Sequence, residues 1–140
     1  MAIIGAILGD IAGSRWEWGR PDNLDWEHIE LFTDECFFTD DTVLTVATKY
    51  ALLNHISYAD AYYQFGNYYS NCTYGGSFLE WLNNPQKLPY GSFGNGSAMR
   101  VSPVVDFATT YNEVILNAIQ SAICTHNHKE GIKGAEITAL

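Results

Sequence analysis

The chain has 140 residues, 47% of them hydrophobic, with a formal net charge of −9; this suits one domain with a real core and argues against electrostatic binding to nucleic acid, which needs clustered Lys and Arg. No apolar stretch is long enough to cross a bilayer, and residues 2–8, AIIGAIL, are short and lack a preceding basic segment, so neither a membrane span nor a secretory signal is expected. Cys36, Cys72 and Cys124 are odd in number and form no C-x-x-C pair, which indicates neither zinc nor a disulfide framework and fits a reduced, cytoplasmic setting.

Residues 2–13 predict a helix in which Ala6, Gly9, Ala12 and Gly13 permit close packing. Residues 15–38, rich in Trp, Asp and Glu, read as irregular. A helix starts near Asp41, with Val43, Val46, Ala47, Tyr50 and Leu53 recurring on one face. Ser57-x-x-Asp60 caps a further helix through about Tyr69. Gly75-Gly76 breaks the chain, and a short helix with Phe78, Leu79 and Leu82 stops before Pro85. Residues 89–97, PYGSFGNGS, form a glycine-rich loop ahead of a helix over Ala98–Phe107, which Pro103 either kinks or divides. The capping box Thr110-x-x-Glu113 precedes a helix whose Val114, Ile115, Ala118, Ile119, Ala122 and Ile123 make a broad apolar stripe. Asn127-x-x-Glu130 marks the last helix start. No segment alternates with period two between hairpin turns, so the fold class is all-α. The last helix runs out at GAEITAL with no capping glycine and no basic turn, as an interrupted domain would, though a natural terminus can do the same.

The chemistry concentrates in Thr39-Asp40-Asp41-Thr42. Thr and Asp are preferred helix caps, and carboxylates suit a first turn. One cap needs one such residue, however, and four oxygen-bearing side chains in a row also make hard ligands for Mg²⁺ or Mn²⁺. Asp10, on a small and apolar helix, reads as a solvent-facing or end-of-helix carboxylate, and Glu17, between Trp16 and Trp18, as either an exposed acid or a sheltered proton carrier. Tyr74-Gly75-Gly76 and Gly94-Asn95-Gly96-Ser97 each lead into a predicted helix and would expose N–H groups to phosphate, or form ordinary turns. His126 and His128 could face a metal, cap carbonyls or meet solvent, and Met99-Arg100 reads as core filler beside a surface ion pair.

In order, these pieces resemble the ADP-ribosylglycohydrolase family, which includes the dinitrogenase reductase-activating glycohydrolases. Gly5-Ala6-Ile7-Leu8-Gly9-Asp10 with Gly13 and Glu17 is similar to the family's opening helix, Phe38-Thr39-Asp40-Asp41-Thr42 to its first metal motif, Gly94 to Pro103 to its substrate loop and helix, and Thr125-His126 with Gly134-Ala135 to its later helix pair. The resemblance implies an orthogonal all-α domain with a binuclear Mg²⁺ centre (Mn²⁺ in some members) that hydrolyses ADP-ribose from modified side chains or related conjugates. It implies metal ligation by Thr39, Asp40 and Asp41, with Glu17 and Asp41 in the catalytic group, Glu17 contacting the scissile region or a metal-held water. It further places Tyr74, Gly75 and Gly76 near the ribose and diphosphate, Gly96 and Ser97 on phosphate, and His126 beside the nucleotide. The family's second acidic motif, Asp-x-Asp-Thr, has no counterpart, since no Asp follows Asp106. The expectation is therefore that residues 1–140 form the N-terminal part of a single such domain, with weak or absent metal binding alone, doubtful activity alone, and self-association or a complementary C-terminal fragment covering its open apolar face. A non-catalytic ADP-ribose-binding module, or an interaction protein derived from the fold, is the alternative.

Overall fold

A computed structural model describes residues 2–25 and 27–140, so position 26 of the expected irregular stretch lies outside the described residues. The described residues form eight α-helices and no strand: α1 (Ala2–Gly13), α2 (Asp40–Asn54), α3 (Tyr58–Tyr68), α4 (Gly76–Leu82), α5 (Gly96–Met99), α6 (Pro103–Phe107), α7 (Tyr111–Ile123) and α8 (Lys129–Ala139). A 3₁₀ turn, Ser14–Trp16, extends α1.

Local chemistry sets most boundaries. Thr39 accepts from Asp41 N to cap α2, Ser57 from Asp60 N to cap α3, and Thr110 from Glu113 N to cap α7. The last cap is corrected by one residue: His128, not Asn127, begins α8, its Nδ1 accepting from Glu130 N at 3.2 Å. An unprotonated imidazole nitrogen accepts a hydrogen bond as an Asn oxygen does. The expected helix over Ala98–Phe107 is two short helices. Pro103 stands at the first position of α6, where its missing N–H and fixed φ are tolerated, and the chain between the two helices carries Arg100 and Val101.

α2 is the central helix, in contact with α1, α3, α5 and α6. One core lies between α2, α3 and α4, with Val43, Leu44, Ala47, Tyr62, Phe78 and Trp81 among its buried side chains. A second lies along α6, α7 and α8, built from Val101, Val104 and small alanines. A helix covered by several neighbours buries more than one stripe, so the single face anticipated for α2 needs correction. Leu44 and Ala51 are buried, whereas Leu53 is 57% exposed in the last turn. Thr48, fully buried in α2, is satisfied by donating to Leu44 O at 3.0 Å and by pairing with Tyr62 Oη at 2.9 Å. On α7 the stripe is only partly covered: Val114, Ala118 and Ala122 are buried, Ile115 and Ile119 are half-buried and Ile123 remains exposed, as does Leu116 outside the stripe.

The start of α8 has no spare room at Gly131. Ser97 Oγ donates to Gly131 O at 2.6 Å, and a Cβ at Gly131 would lie 2.6 Å from Ser92 O and 3.0 Å from His126 Cβ. Gly131→Ala should therefore lower stability by about 1–3 kcal/mol through overpacking, despite alanine's better helix propensity. Denaturant unfolding checks this, and an unchanged or raised midpoint would show that α8 can move away without loss.

Candidate active site

The site begins where α1 meets the first turn of α2. Asp10 Oδ2 accepts from Thr39 N at 2.8 Å, Thr42 N at 3.1 Å and Thr42 Oγ1 at 2.5 Å, and its Oδ1 accepts from Thr39 Oγ1 at 2.6 Å. The carboxylate of one helix thus serves the open N-terminus of another. Ser14 secures the incoming loop, accepting from Phe37 N at 3.0 Å while donating to Ile11 O. The solvent-facing or end-of-helix reading of Asp10 is corrected accordingly: its oxygens are engaged across the helix pair.

This clasp presents Asp40 and Asp41 side by side. Together with Asp10, Glu17 and Thr73 they line a cleft of about 450 Å³ whose lining residues include no Lys, Arg or His. Burial raises the Asp40 carboxyl to about 6, with a hydrogen bond from Thr73 partly opposing it and the charges of Glu17 and Asp10 adding to it. Burial likewise raises Asp41 to about 6, helped by the neighbouring charges of Asp40, Asp10 and Glu17. Thr39 is buried, and its hydroxyl already donates to Asp10 and accepts from Asp41 N. Glu17 stands exposed at the rim. Crowded carboxylates with no facing cation are a hard-oxygen donor set of the kind that Mg²⁺ or Mn²⁺ takes. They fit such an ion in kind but form a partial set: among the described residues, no three His, Cys, Asp or Glu side chains are grouped so as to hold one.

A second cleft of about 250 Å³ adjoins the first and shares Asp40, Gly75, Asn95 and Met99 with it. Gly75, Gly76, Gly96 and His126 line it. The helices α2, α3, α7 and α8 are closed by side-chain caps, whereas Gly75 and Asn95, which start α4 and α5, make no side-chain cap bond. The first amides of these two helices are left for another acceptor. α4 and α5 have 7 and 4 residues, so local N–H groups rather than a helix macrodipole would do the work.

Tyr74 and Ser97 stand behind the wall of this cleft rather than on it. Tyr74 is buried against Phe78, and burial raises its phenol above the ordinary range. Ser97 is fully buried with its hydroxyl on Gly131 O. His126 packs tightly on Gly96, where a Cβ would come within 2.9 Å of Cε1 and 3.0 Å of Nε2. Its pKa falls to about 4 because burial, and then the charge of Arg100, disfavour the imidazolium.

Arg100 is the largest correction. It is 0% exposed, not part of a surface ion pair. Its guanidinium lies 4.0 Å from the centroid of the Tyr62 ring and donates to Ser121 O at 3.0 Å and Thr125 Oγ1 at 2.7 Å. Its partners here are neutral, so a buried positive charge borders the second cleft. Its position between apolar Met99 and Val101 is the one sequence signal for burial; its partners lie in α3, in α7 and just beyond α7.

These features coincide with the outcome of comparison with known proteins. The family described as ADP-ribosylglycohydrolase matches residues 1–140, and the chain belongs to it. It is similar to ADP-ribosylhydrolase ARH3 of Danio rerio, with 26% identity over 99% of this chain and 45% of that relative. The proteins of the same name from Mus musculus and Homo sapiens are each 28% identical over 99% of this chain, which covers 46% and 47% of them. The chain thus spans less than half the length of these relatives.

The carboxylate crowding has a pH signature. Asp40 and Asp41 hold protons more tightly in the folded chain, at about 6, than at their ordinary value of 3.8. Between those values the folded state binds more protons than the unfolded one, so these two groups make stability fall as the pH rises. In the presence of a chelator, the decline of Tm attributable to them should be shallower in Asp41→Asn, which removes one titrating group and relieves the other. Equal slopes for variant and wild type would show that the pair does not crowd.

Proposed function

We propose that this chain is the N-terminal part of a single-domain, metal-dependent hydrolase that removes ADP-ribose from modified protein side chains or related conjugates. The observation that carries this reading is the polarity of the joined clefts. One end holds Asp10, Glu17, Asp40 and Asp41; the other holds open helix amides, neutral His126 and the buried charge of Arg100. A ligand with a diphosphate at one end and a reacting ribose at the other suits that arrangement, and Asp40 lies at the junction.

In this reading the amides beginning at Gly76 and Gly96 meet phosphate oxygens, and His126 flanks the nucleotide. Asp40 and Asp41, with Thr39 positioning them through Asp10, would hold Mg²⁺ or Mn²⁺, in a binuclear centre completed by further residues. The ion would supply charge that orients the ribose and favours attack by water at its anomeric carbon. Glu17, at the rim, would accept a proton from the attacking water, with Asp41 sharing the catalytic group. The free, half-buried thiols of Cys36, Cys72 and Cys124 fit a cytoplasmic setting.

A non-catalytic ADP-ribose-binding module is the second reading, favoured by the partial metal set among the described residues. Calorimetry with ADP-ribose, with and without Mg²⁺, separates them. The first predicts binding that Mg²⁺ strengthens and that Asp40→Ala or Asp41→Ala makes insensitive to Mg²⁺, together with Mg²⁺-dependent release of ADP-ribose from a modified peptide once the missing ligands are supplied. Binding indifferent to Mg²⁺ in the wild type points to the second reading. A folded chain that does not bind ADP-ribose overturns both.

Apolar residues also remain uncovered. Ile4 and Leu8 on α1 are about half exposed, Gly5 and Gly9 beside them face open space, and Leu116 and Ile123 protrude from α7. Such faces support self-association or a complementary C-terminal fragment. Light scattering over a concentration series should show a rising mean mass; a constant monomer mass at high concentration would argue against self-association.

A further inference from the structure

Three side chains in and beside the second cleft form a directed chain of hydrogen bonds. Arg100 can only donate, and its Nη2 lies 2.7 Å from Thr125 Oγ1. That oxygen also lies 2.8 Å from His126 Nδ1. Thr125 is fully buried, and the other polar side chain beside its hydroxyl is the Cys124 thiol, whose sulfur is a weak acceptor. A buried hydroxyl proton left without an acceptor is costly. Arg100 offers no lone pair, and of the two acceptors left, the ring nitrogen Nδ1 and the Cys124 sulfur, the nitrogen is much the stronger. An Nδ1 that accepts leaves the imidazole proton on Nε2.

We infer that Thr125 is a positioning residue: held by Arg100, it fixes His126 as the neutral Nε2–H tautomer, so that the cleft meets a hydrogen-bond donor there that selects an oxygen acceptor on the ligand. Several facts agree with this. Nε2 has no partner among the described residues, and His126 lines the cleft. Burial, and then the positive charge of Arg100, oppose a second proton on the ring, which keeps the imidazole neutral across the physiological range. Gly96, which has no side chain to stand between the ring and the loop, lets Nε2 sit against the backbone beside the open amides of α5. The donor at Nε2 and those amides therefore point to one kind of ligand group, a phosphate or ribose oxygen.

The identity of the ligand rests on the proposed function, whereas the tautomer does not, and the two are tested separately. Imidazole ¹⁵N chemical shifts of the full chain, read from long-range ¹H–¹⁵N correlation spectra, should show His126 as a single neutral species with Nδ1 unprotonated and Nε2 protonated. Thr125→Val, nearly equal in volume, should give a mixture of tautomers, and Thr125→Ser should restore the single one. ADP-ribose affinity should follow, weakening about tenfold in Thr125→Val, as loss of one hydrogen bond's preorganisation implies, and recovering in Thr125→Ser. A protonated Nδ1 in the wild type, or a tautomer unaltered in a folded Thr125→Val, overturns the inference. If Thr125→Val does not fold, the spectra of the wild type and Thr125→Ser still decide it, because both must then show the same single Nε2–H species. Tautomers that behave as described in a chain that does not bind ADP-ribose sustain the role of Thr125 and overturn the ligand assignment.

Discussion

The geometry of the acidic cleft depends on one carboxylate. Asp10 receives four hydrogen bonds from two threonines 29 and 32 residues away, and so ties the end of α1 to the start of α2. Bonds to a charged acceptor are worth about 1.5–3 kcal/mol each where water is partly excluded. The clasp also determines which side chains are left over. Thr39 and Thr42 spend their hydroxyls on Asp10, and Asp40 and Asp41 line the cleft as the carboxylates of that turn, with Thr39 beside them. They do so at an electrostatic disadvantage, since burial and neighbouring carboxylates, Glu17 and Asp10 for both and Asp40 also for Asp41, oppose their ionisation. A cation would reverse that disadvantage, and without one the cores must carry it.

Arg100 is the counterpart at the other end. A buried guanidinium is expensive to desolvate, and a carboxylate partner would be the usual compensation. Here the compensation comes from the face of Tyr62, a carbonyl and a hydroxyl, none of which cancels the charge. The field of Arg100 therefore extends into the space that His126 and the glycine loops border. The acidic locus sits at the start of α2, which the first core holds, whereas Arg100 lies between Tyr62 of that core and the polar groups of Ser121 and Thr125, and the cleft runs between them. Separation of charge along the cleft is thus a product of the fold rather than of any single motif.

What could be read from the sequence was what short-range chemistry decides. Thr39, Ser57 and Thr110 cap their helices because the acceptor and the amide it serves are two or three residues apart. The cap at His128 was misplaced by one residue because Asn127 and His128 both offer an acceptor and only packing chooses between them. Leu53 was assigned to the buried face by a period that suits a helix with one neighbour, and α2 has several. The motif order gave Gly75, Gly76, Gly96 and His126, all of which line the second cleft. The contacts of Asp10, Arg100 and Thr125 could not be read, because the first two reach partners 21 to 32 residues away, and the third matters only through one of them.

The open starts of α4 and α5 tie stability to function. A helix of 4 or 7 residues has little cooperative stability of its own, and lacking a cap it has less. Phe78, Trp81 and Leu82 anchor α4 in the first core, and Ser97 pins α5 to α8 through Gly131. Tertiary packing thus stabilises what local sequence does not, which allows the first amides to stay uncapped beside the cleft. Glycines at these starts serve the same end: a side chain at Gly96 would strike His126, and the positions at Gly75 and Gly76 border open space where a ligand can approach the backbone. The residues that weaken these two helices as helices are the ones that leave their starts without a side-chain cap.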